Sequence, residues 1–211
     1  MNASPTREQT GGPRLADLVR VYDGALDAPF CDHVIELFEK DPDHHFRRPG
    51  QNTWTEYLIT HRPEPEWKAV EKTFLNSMAV ALKDYAAQPA ARSLGARFPS
   101  AFEHLKLKRY EASTGDGDHF PLHVDAFDAK TSVRVLAFLW YLNDVADGGQ
   151  TAFPALDLNI AARRGRLVIL PPLWMYEHRG EAPRSGDKFI VTSYLNFRDP
   201  EDAWRFSYPI R

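Results

Sequence analysis

The second half of the chain is a series of short runs with strand character, and this feature restricts the fold more than any other. Residues 105–110 alternate apolar and polar side chains with the period of two that a half-buried strand shows. Similar runs follow, separated by glycine and proline turns, and Asp147-Gly148-Gly149 is expected to form a hairpin turn. Short strands at this spacing predict an antiparallel β-sandwich or barrel. The further runs cover residues 119–125, 133–142, 166–170 and 189–196.

Two amphipathic helices are predicted before this region, at about residues 30–40 and 66–85, with a strand around 53–59 between them. Each helix has one apolar stripe at helical spacing, so we expect both to pack one face against the sheet. The predicted class is therefore mainly β with flanking α-helices. The stripes consist of Phe30, Val34, Leu37 and Phe38 in the first helix, and of Trp67, Val70, Phe74, Met78 and Leu82 in the second.

The length of 211 residues fits one domain. Residues 1–14 are rich in Ser, Thr, Pro and Gly and are expected to be a disordered tail. Residues 15–211 are then expected to form the domain, with a helical support at about 15–100 and a β core at about 101–198.

Composition excludes several function classes. With one cysteine, Cys31, neither an intramolecular disulfide nor a zinc site of several thiolates can form. The net charge of -3 argues against a dedicated nucleic-acid binder. We find no apolar run long enough for a signal peptide or a membrane span, which favours a cytoplasmic protein that binds no membrane. A homodimer is left open.

A metal-binding pattern lies within the strand-rich region. His123 and Asp125 stand two residues apart at the end of a predicted strand, so their side chains face the same side. A second imidazole, His178, would complete the two-His, one-carboxylate facial triad that is typical of non-haem Fe(II) oxygenases. Such a triad leaves coordination positions open for a bidentate 2-oxo acid and for dioxygen. Lys188, ten residues after His178, supplies the cation that the distal carboxylate of a buried oxo acid needs.

From about residue 110 to 197 the chain resembles the prolyl 4-hydroxylase-like branch of the Fe(II)/2-oxoglutarate dioxygenases. The motifs occur in the order and at the spacing of that family, which makes the set more specific than any one of them. They are RYE at 109–111, FPLHVD at 120–125, YLNDV at 141–145, GGQTAFP at 148–154, GRL at 165–167, HRG at 178–180 and GDK at 186–188.

The resemblance implies a double-stranded β-helix (jelly-roll, cupin-like) core with N-terminal support helices. It implies that His123, Asp125 and His178 bind iron and that Lys188 binds the distal carboxylate of 2-oxoglutarate. Tyr110 matches a tyrosine near that carboxylate, and Thr151 matches a position facing the same pocket. The implied cofactors are Fe(II), 2-oxoglutarate and dioxygen, with ascorbate as a reductant.

Substrate residues are sought in the stretch at 41–60, for which two interpretations stay open: a surface loop without a role, or a substrate lid. Arg47, Arg48 and Trp54 lie there, and Arg134 matches a recurrent arginine after the His-x-Asp turn. Two departures from the family pattern lie near the substrate opening. Phe197 stands where a tryptophan is frequent, and the stretch at 111–118 is longer and more acidic than usual.

The implied reaction is hydroxylation of an unactivated C–H bond with release of succinate and CO2. Asp125 favours hydroxylation over halogenation, because halogenases of this kind have a small residue there. We favour a free amino acid or related small metabolite as substrate, since the chain is compact and shows no peptide-binding domain. A peptidyl-prolyl hydroxylase is the first alternative. A 2-oxoglutarate- or oxygen-sensing binding protein with little turnover is the second.

Overall fold

The computed structural model describes residues 14–47, 54–96, 101–115 and 117–197 and a strand at 206–207. Of the predicted tail at 1–14, residues 1–13 lie outside the described residues, as do Arg48 and Thr53. Within them the chain forms helices α1 (Ala28–Glu39) and α2 (Pro65–Ala87). The strands are β1 (Arg20–Tyr22), β2 (Thr55–Leu58), β3 (Ala101–Phe102), β4 (Lys106–Tyr110), β5 (Phe120–His123), β6 (Arg134–Tyr141), β7 (Thr151–Phe153), β8 (Leu158–Ile160), β9 (Leu167–Leu170), β10 (His178–Gly180), β11 (Lys188–Asn196) and β12 (Phe206–Ser207).

The strands form two antiparallel sheets. In the major sheet β4, β11, β6, β9 and β1 lie side by side, β2 extends it beyond β4, and β3 and β12 extend it beyond the far end of β11. The minor sheet has the order β5-β10-β7-β8. Between β4 and β11 the chain passes repeatedly from one sheet to the other, which is the topology of a jelly roll. The predicted fold class is confirmed.

The turn predicted as a hairpin has a different role. Residues Asp147-Gly148-Gly149 connect β6 of the major sheet to β7 of the minor sheet, so the prediction of a hairpin there is wrong. Gly148 and Gly149 both have positive φ, of 74° and 73°. Left-handed backbone of this kind is accessible to glycine without steric cost, and it carries the chain across the edge of the sandwich.

The two helices cover the outer face of the major sheet. Asp27 caps α1 by accepting from Phe30 N (2.7 Å), and proline in the first turn of each helix is compatible with its missing N–H. Phe74 of α2 contacts Phe30 and also Trp140 of β6, with ring centroids 5.4 and 5.3 Å apart. These contacts belong to a continuous apolar core between helices and sheet. No helix among the described residues is long and apolar enough to cross a membrane.

A second apolar cluster fills the space between the two sheets. Strand β4 borders both cores: Leu107 faces the helices, while Lys108 and Tyr110 face the space between the sheets. A cavity opens in this inner space, and it holds the residues described next. The assignment of residues 15–211 to one domain stays a prediction.

Candidate metal centre and co-substrate pocket

His123, Asp125 and His178 meet where two strands of the minor sheet pair. His123 ends β5, His178 begins β10, and the two residues stand opposite each other in the antiparallel register. Asp125 follows β5 by two residues. One ligand atom from each of the three residues lies within 4.8 Å of the other two. Among the described residues, this is the group of at least three His, Cys, Asp or Glu side chains that could hold one metal ion. The structure therefore brings together the three residues that the sequence predicted as ligands.

Both imidazoles are oriented for metal binding by backbone carbonyls. Nδ1 of His123 donates to the carbonyl of Pro121 (2.8 Å), and Nδ1 of His178 donates to that of Tyr176 (3.0 Å). This tautomer leaves the lone pair of each Nε2 free. The two Nε2 atoms lie 3.5 and 3.8 Å from the Asp125 carboxylate oxygens. Two nitrogen donors and one carboxylate suit Fe(II), so the residues present fit the implied metal.

Electrostatics keep the donor atoms in the protonation states that a metal requires. Burial alone would raise the pKa of Asp125, but His123 and His178 outweigh it and hold that pKa well below its usual range. Burial lowers the pKa of His178, which favours its neutral form. The site thus presents an ionised carboxylate beside a buried neutral imidazole.

Asp125 is held by two further side chains on the major sheet. The hydroxyl of Tyr194 donates to Oδ1 of Asp125 (2.7 Å), and burial raises the pKa of Tyr194 well above its usual value, so the donor proton is retained. Arg134 donates to the backbone carbonyl of Asp125 and to both carboxylate oxygens of Glu103, each at 2.7 Å. Its guanidinium also lies over the Tyr194 ring, 3.7 Å from the centroid. These contacts fix the carboxylate relative to the imidazoles.

The three residues predicted to bind 2-oxoglutarate share a cavity with the triad. Lys188 begins β11 and pairs in register with Tyr110 of β4, and its ammonium lies 4.4 Å from the centre of the Tyr110 ring. The Thr151 hydroxyl is hydrogen-bonded to the Tyr141 hydroxyl at 2.5 Å. All four side chains are buried. A cation and three hydroxyls that line one cavity can accept a carboxylate whose other end reaches the metal.

The buried charge of Lys188 lowers the stability of the folded protein. Burial lowers the pKa of Lys188 to about 7. Its ammonium donates to the carbonyls of Gly149 and Glu181, each at 3.2 Å, and no carboxylate among the described residues forms an ion pair with it. An anionic ligand in the cavity would supply the missing negative charge.

The predicted substrate residues separate into different positions. Trp54 is buried, stacks on Phe120 at 4.4 Å and lines a cleft outside the cavity. Arg134 lines the same cleft while it holds Asp125. Arg47 does not line the cavity; it binds Asp118 (2.7 Å), which ties the acidic stretch at 111–118 to the segment before β2. Arg48 lies outside the described residues.

Sequence reasoning missed Lys108, Thr192 and Tyr194. All three line both the cavity and the cleft. A signal was present: Lys108 stands two residues before Tyr110, and Thr192 and Tyr194 stand four and six residues after Lys188 on one strand. Residues at even spacing share a face of a strand. Because polar positions on a strand usually face solvent, this signal becomes informative once the strand is known to border a cavity.

Comparisons with known proteins agree with this geometry. Residues 105–196, a little under half of the chain, match the family model of the 2OG-Fe(II) oxygenase superfamily. Among curated proteins, "Probable prolyl 4-hydroxylase 3" of Arabidopsis thaliana is 38% identical over 61 residues, which are 28% of this chain and 21% of that protein. The chain thus aligns with only about a fifth of the length of this relative.

Solved structures extend the likeness to most of the fold. A viral collagen prolyl hydroxylase from Paramecium Bursaria Chlorella virus-1, in complex with 2OG, has a TM-score of 0.65 at 19% identity, covering 86% of this chain and 97% of that one. A Trichoplax adhaerens prolyl hydroxylase, in complex with a hypoxia inducible factor peptide fragment, has a TM-score of 0.66 at 14% identity, covering 85% and 83%.

Residues 105–196 match a 2OG-Fe(II) oxygenase domain, and the fold and the His-Asp-His site resemble those of the 2-oxoglutarate-dependent dioxygenases. Among the proteins of that class, the chain is similar to prolyl 4-hydroxylases. The cofactors of the class are Fe(II), 2-oxoglutarate and dioxygen, and the His-Asp-His triad is present to hold the metal.

Proposed function

We propose that this protein hydroxylates a prolyl residue of a peptide or protein, using Fe(II), 2-oxoglutarate and dioxygen. His123, Asp125 and His178 would hold the iron, and Lys188, Tyr110 and Thr151 would hold the co-substrate. The observation that carries the proposal is the shared cavity, in which the triad and the buried cation Lys188 line one space. Bound metal and co-substrate supply the oxidising chemistry, which yields the hydroxylated product, succinate and CO2.

The choice of substrate rests on the relatives. Sequence reasoning favoured a free amino acid because the chain is compact. The Arabidopsis relative is named a prolyl 4-hydroxylase, and the Trichoplax neighbour was solved with a peptide fragment. These findings support the peptidyl-prolyl alternative better, and we adopt it. The exposed side chain of Phe127, which lines the cleft beside His123 and Asp125, supports it further, since apolar surface near a site suits a peptide.

In this proposal the protein's own side chains position the reactants. Tyr194 and Arg134 keep the Asp125 carboxylate in place, and Nδ1 of each histidine is occupied by a carbonyl, so each Nε2 stays directed at the metal. Lys188 neutralises the distal carboxylate of the co-substrate. Apolar walls from both sheets limit the access of water to the site.

The test is turnover of proline-containing peptides with purified protein. Mass spectrometry would detect a gain of one oxygen, and succinate would be measured in the same samples. We expect both to depend on Fe(II) and 2-oxoglutarate and to fall at least about 100-fold in His178→Ala, because two ligands hold the metal poorly. The exposed His33→Ala is the matched control.

Three results would contradict the proposal in different ways. Unchanged turnover in His178→Ala would show that the predicted triad does not hold the catalytic metal. Oxygen gain on free proline but on no peptide would restore the free amino acid as substrate. Binding of 2-oxoglutarate without succinate formation would favour the alternative of a 2-oxoglutarate- or oxygen-sensing binding protein. Ascorbate as a reductant, a cytoplasmic location, a homodimer and the absence of nucleic-acid binding stay predictions.

A further inference from the structure

Lys108 is a second buried cation in the cavity, besides the Lys188 assigned to the co-substrate, and no role has yet been given to it. It lies on β4 between Lys106 and Tyr110 and is 8% exposed. Its side chain lines both the cavity that contains the triad and the open cleft outside it. Lys108 therefore stands where a substrate entering through the cleft would approach the metal.

The ammonium of Lys108 has aromatic rather than anionic neighbours. It lies 4.8 Å from the ring centre of Phe120 and 5.5 Å from that of Trp54. Among the described residues no side chain or carbonyl forms an ion pair or hydrogen bond with it. Glu56 and Asp125 act on it electrostatically, but neither forms an ion pair with it, and the Glu56 carboxylate accepts from Trp54 Nε1 (3.0 Å). A buried ammonium without an anion is costly, and burial lowers the pKa of Lys108 to about 8.

Thr192 supplies a second unpaired donor on the neighbouring strand. In the register of β4 and β11, Ile190 stands opposite Lys108 and Thr192 opposite Lys106, so Thr192 is the diagonal neighbour of Lys108 on the same face. Thr192 is 9% exposed, and its hydroxyl is buried with no hydrogen-bond partner among the described residues. Buried hydroxyls are normally paired, so a ligand oxygen is expected there.

We propose that Lys108 and Thr192 form a subsite for a carboxylate of the substrate, beside the metal centre. The inference rests on the proposed oxygenase function. One ammonium and one hydroxyl donor match the two oxygens and single charge of a carboxylate. A phosphate would carry more charge than this single buried cation balances. The co-substrate has its own cation in Lys188, so the carboxylate belongs to the substrate: either a terminal carboxylate on the target proline, or an acidic side chain next to it.

Two pairs of matched probes distinguish these sources. Acetyl-Ala-Ala-Pro with a free carboxylate is compared with its C-terminal amide, and acetyl-Ala-Pro-Asp-amide is compared with acetyl-Ala-Pro-Asn-amide. Binding to the Zn(II)-loaded protein with 2-oxoglutarate is measured by calorimetry, and kcat/KM is measured with Fe(II). Wild type is compared with Lys108→Met and Thr192→Val. The control is Lys72→Met, a change of an exposed lysine on α2.

We expect the carboxylate member of one pair to bind about 10- to 100-fold more tightly, as a charge-assisted hydrogen bond in a buried site allows. This preference should fall to within about twofold in Lys108→Met and decrease in Thr192→Val, while Lys72→Met keeps it. The pair that shows the preference identifies the source of the carboxylate. Circular dichroism would establish that each variant is folded.

Failure of the subsite and failure of the proposed function give different results. Equal binding of both members of both pairs overturns the subsite, even if the peptides are hydroxylated. A rise in the KM for 2-oxoglutarate in Lys108→Met, with no change in carboxylate preference, also overturns it and assigns Lys108 to the co-substrate. A Lys108-dependent preference in binding without any turnover supports the subsite and contradicts the hydroxylase.

Discussion

Tyr194 shows how one residue on the major sheet controls a ligand that follows the minor sheet. Its hydroxyl donates to the Asp125 carboxylate, and its ring carries the Arg134 guanidinium that holds the Asp125 carbonyl. Partners of this kind orient a metal ligand and tune its basicity. Because Tyr194 contacts the proposed ligand Asp125 and would not contact the metal itself, we assign it as a positioning residue.

Replacement of Tyr194 should therefore weaken metal binding without removing a ligand. We expect Tyr194→Phe to lower the affinity for Mn(II) or Fe(II) about 10- to 100-fold, since it removes one hydrogen bond to the carboxylate. Metal titration of the protein measures this directly. Tyr22→Phe, which removes an exposed hydroxyl bonded to Asp84, is the control. Equal metal affinity in Tyr194→Phe and wild type would show that the hydrogen bond has no role in orienting Asp125.

The turn between β6 and β7 shows how a backbone element builds the pocket that we propose for the co-substrate. The carbonyl of Gly149 accepts a hydrogen bond from the Lys188 ammonium. Gly148 forms an isolated antiparallel β-bridge with Pro183, in the segment before β11. A Cβ on Gly148 would collide with the carbonyl oxygen of Ala182, and its φ of 74° disfavours other residues. The turn thus positions both the lysine and the chain that carries it.

Gly148→Ala tests this turn. We expect it to destabilise the protein by about 1–3 kcal/mol, because left-handed backbone strain and the clash add. It should also weaken 2-oxoglutarate binding, since the displaced turn carries the carbonyl that holds Lys188. Denaturant unfolding and calorimetry measure the two effects. Gly186→Ala is the matched control, because no atom lies within 4 Å of its added Cβ. Similar stability of both variants would refute the steric argument.

Element prediction succeeded where strands or helices are long enough to show a pattern. The helices at 30–40 and 66–85 and the long strands β6 and β11 were found within a few residues. Strands β7, β8 and β10 have three residues each and were not recognised. Three residues are too few to establish a period of two, and these strands form because their neighbours in the minor sheet pair with them.

At the scale of the whole molecule, the cavity lowers the stability of the ligand-free protein. Lys188 is 2% exposed and its pKa is lowered to about 7, whereas in the unfolded chain it is near its ordinary value. Above pH 7 the unfolded state therefore binds more protons than the folded state, so stability rises with pH. Lys108, with a pKa of about 8, acts in the same direction.

This linkage predicts a difference between wild type and Lys188→Met. From pH 7 to pH 9, the unfolding free energy of the metal-free wild type should rise by about 1–2 kcal/mol relative to that of the variant, which has no proton to lose at this position. Urea unfolding at the two pH values, in the presence of a chelator, measures the difference. A constant difference would mean that Lys188 has an ordinary pKa in the folded state. Addition of 2-oxoglutarate with metal should reduce the effect, since a bound carboxylate favours the charged lysine.

The identity and order of the motifs carried the resemblance from which the jelly roll, the iron triad and Lys188 were predicted. The shared face of His123 and Asp125 could also be predicted without it, because i and i+2 positions on a strand share a face wherever the strand lies. The sequence did not reveal whether each face of a strand lies in solvent or in the interior of the protein. A half-buried strand was expected at residues 105–110, yet Lys108, on its polar face, lines a cavity between two sheets and is 8% exposed. The Asp147-Gly148-Gly149 turn was expected to join paired strands, yet it joins different sheets. Both outcomes depend on contacts between residues far apart in the chain, and such contacts form when the two sheets pack together.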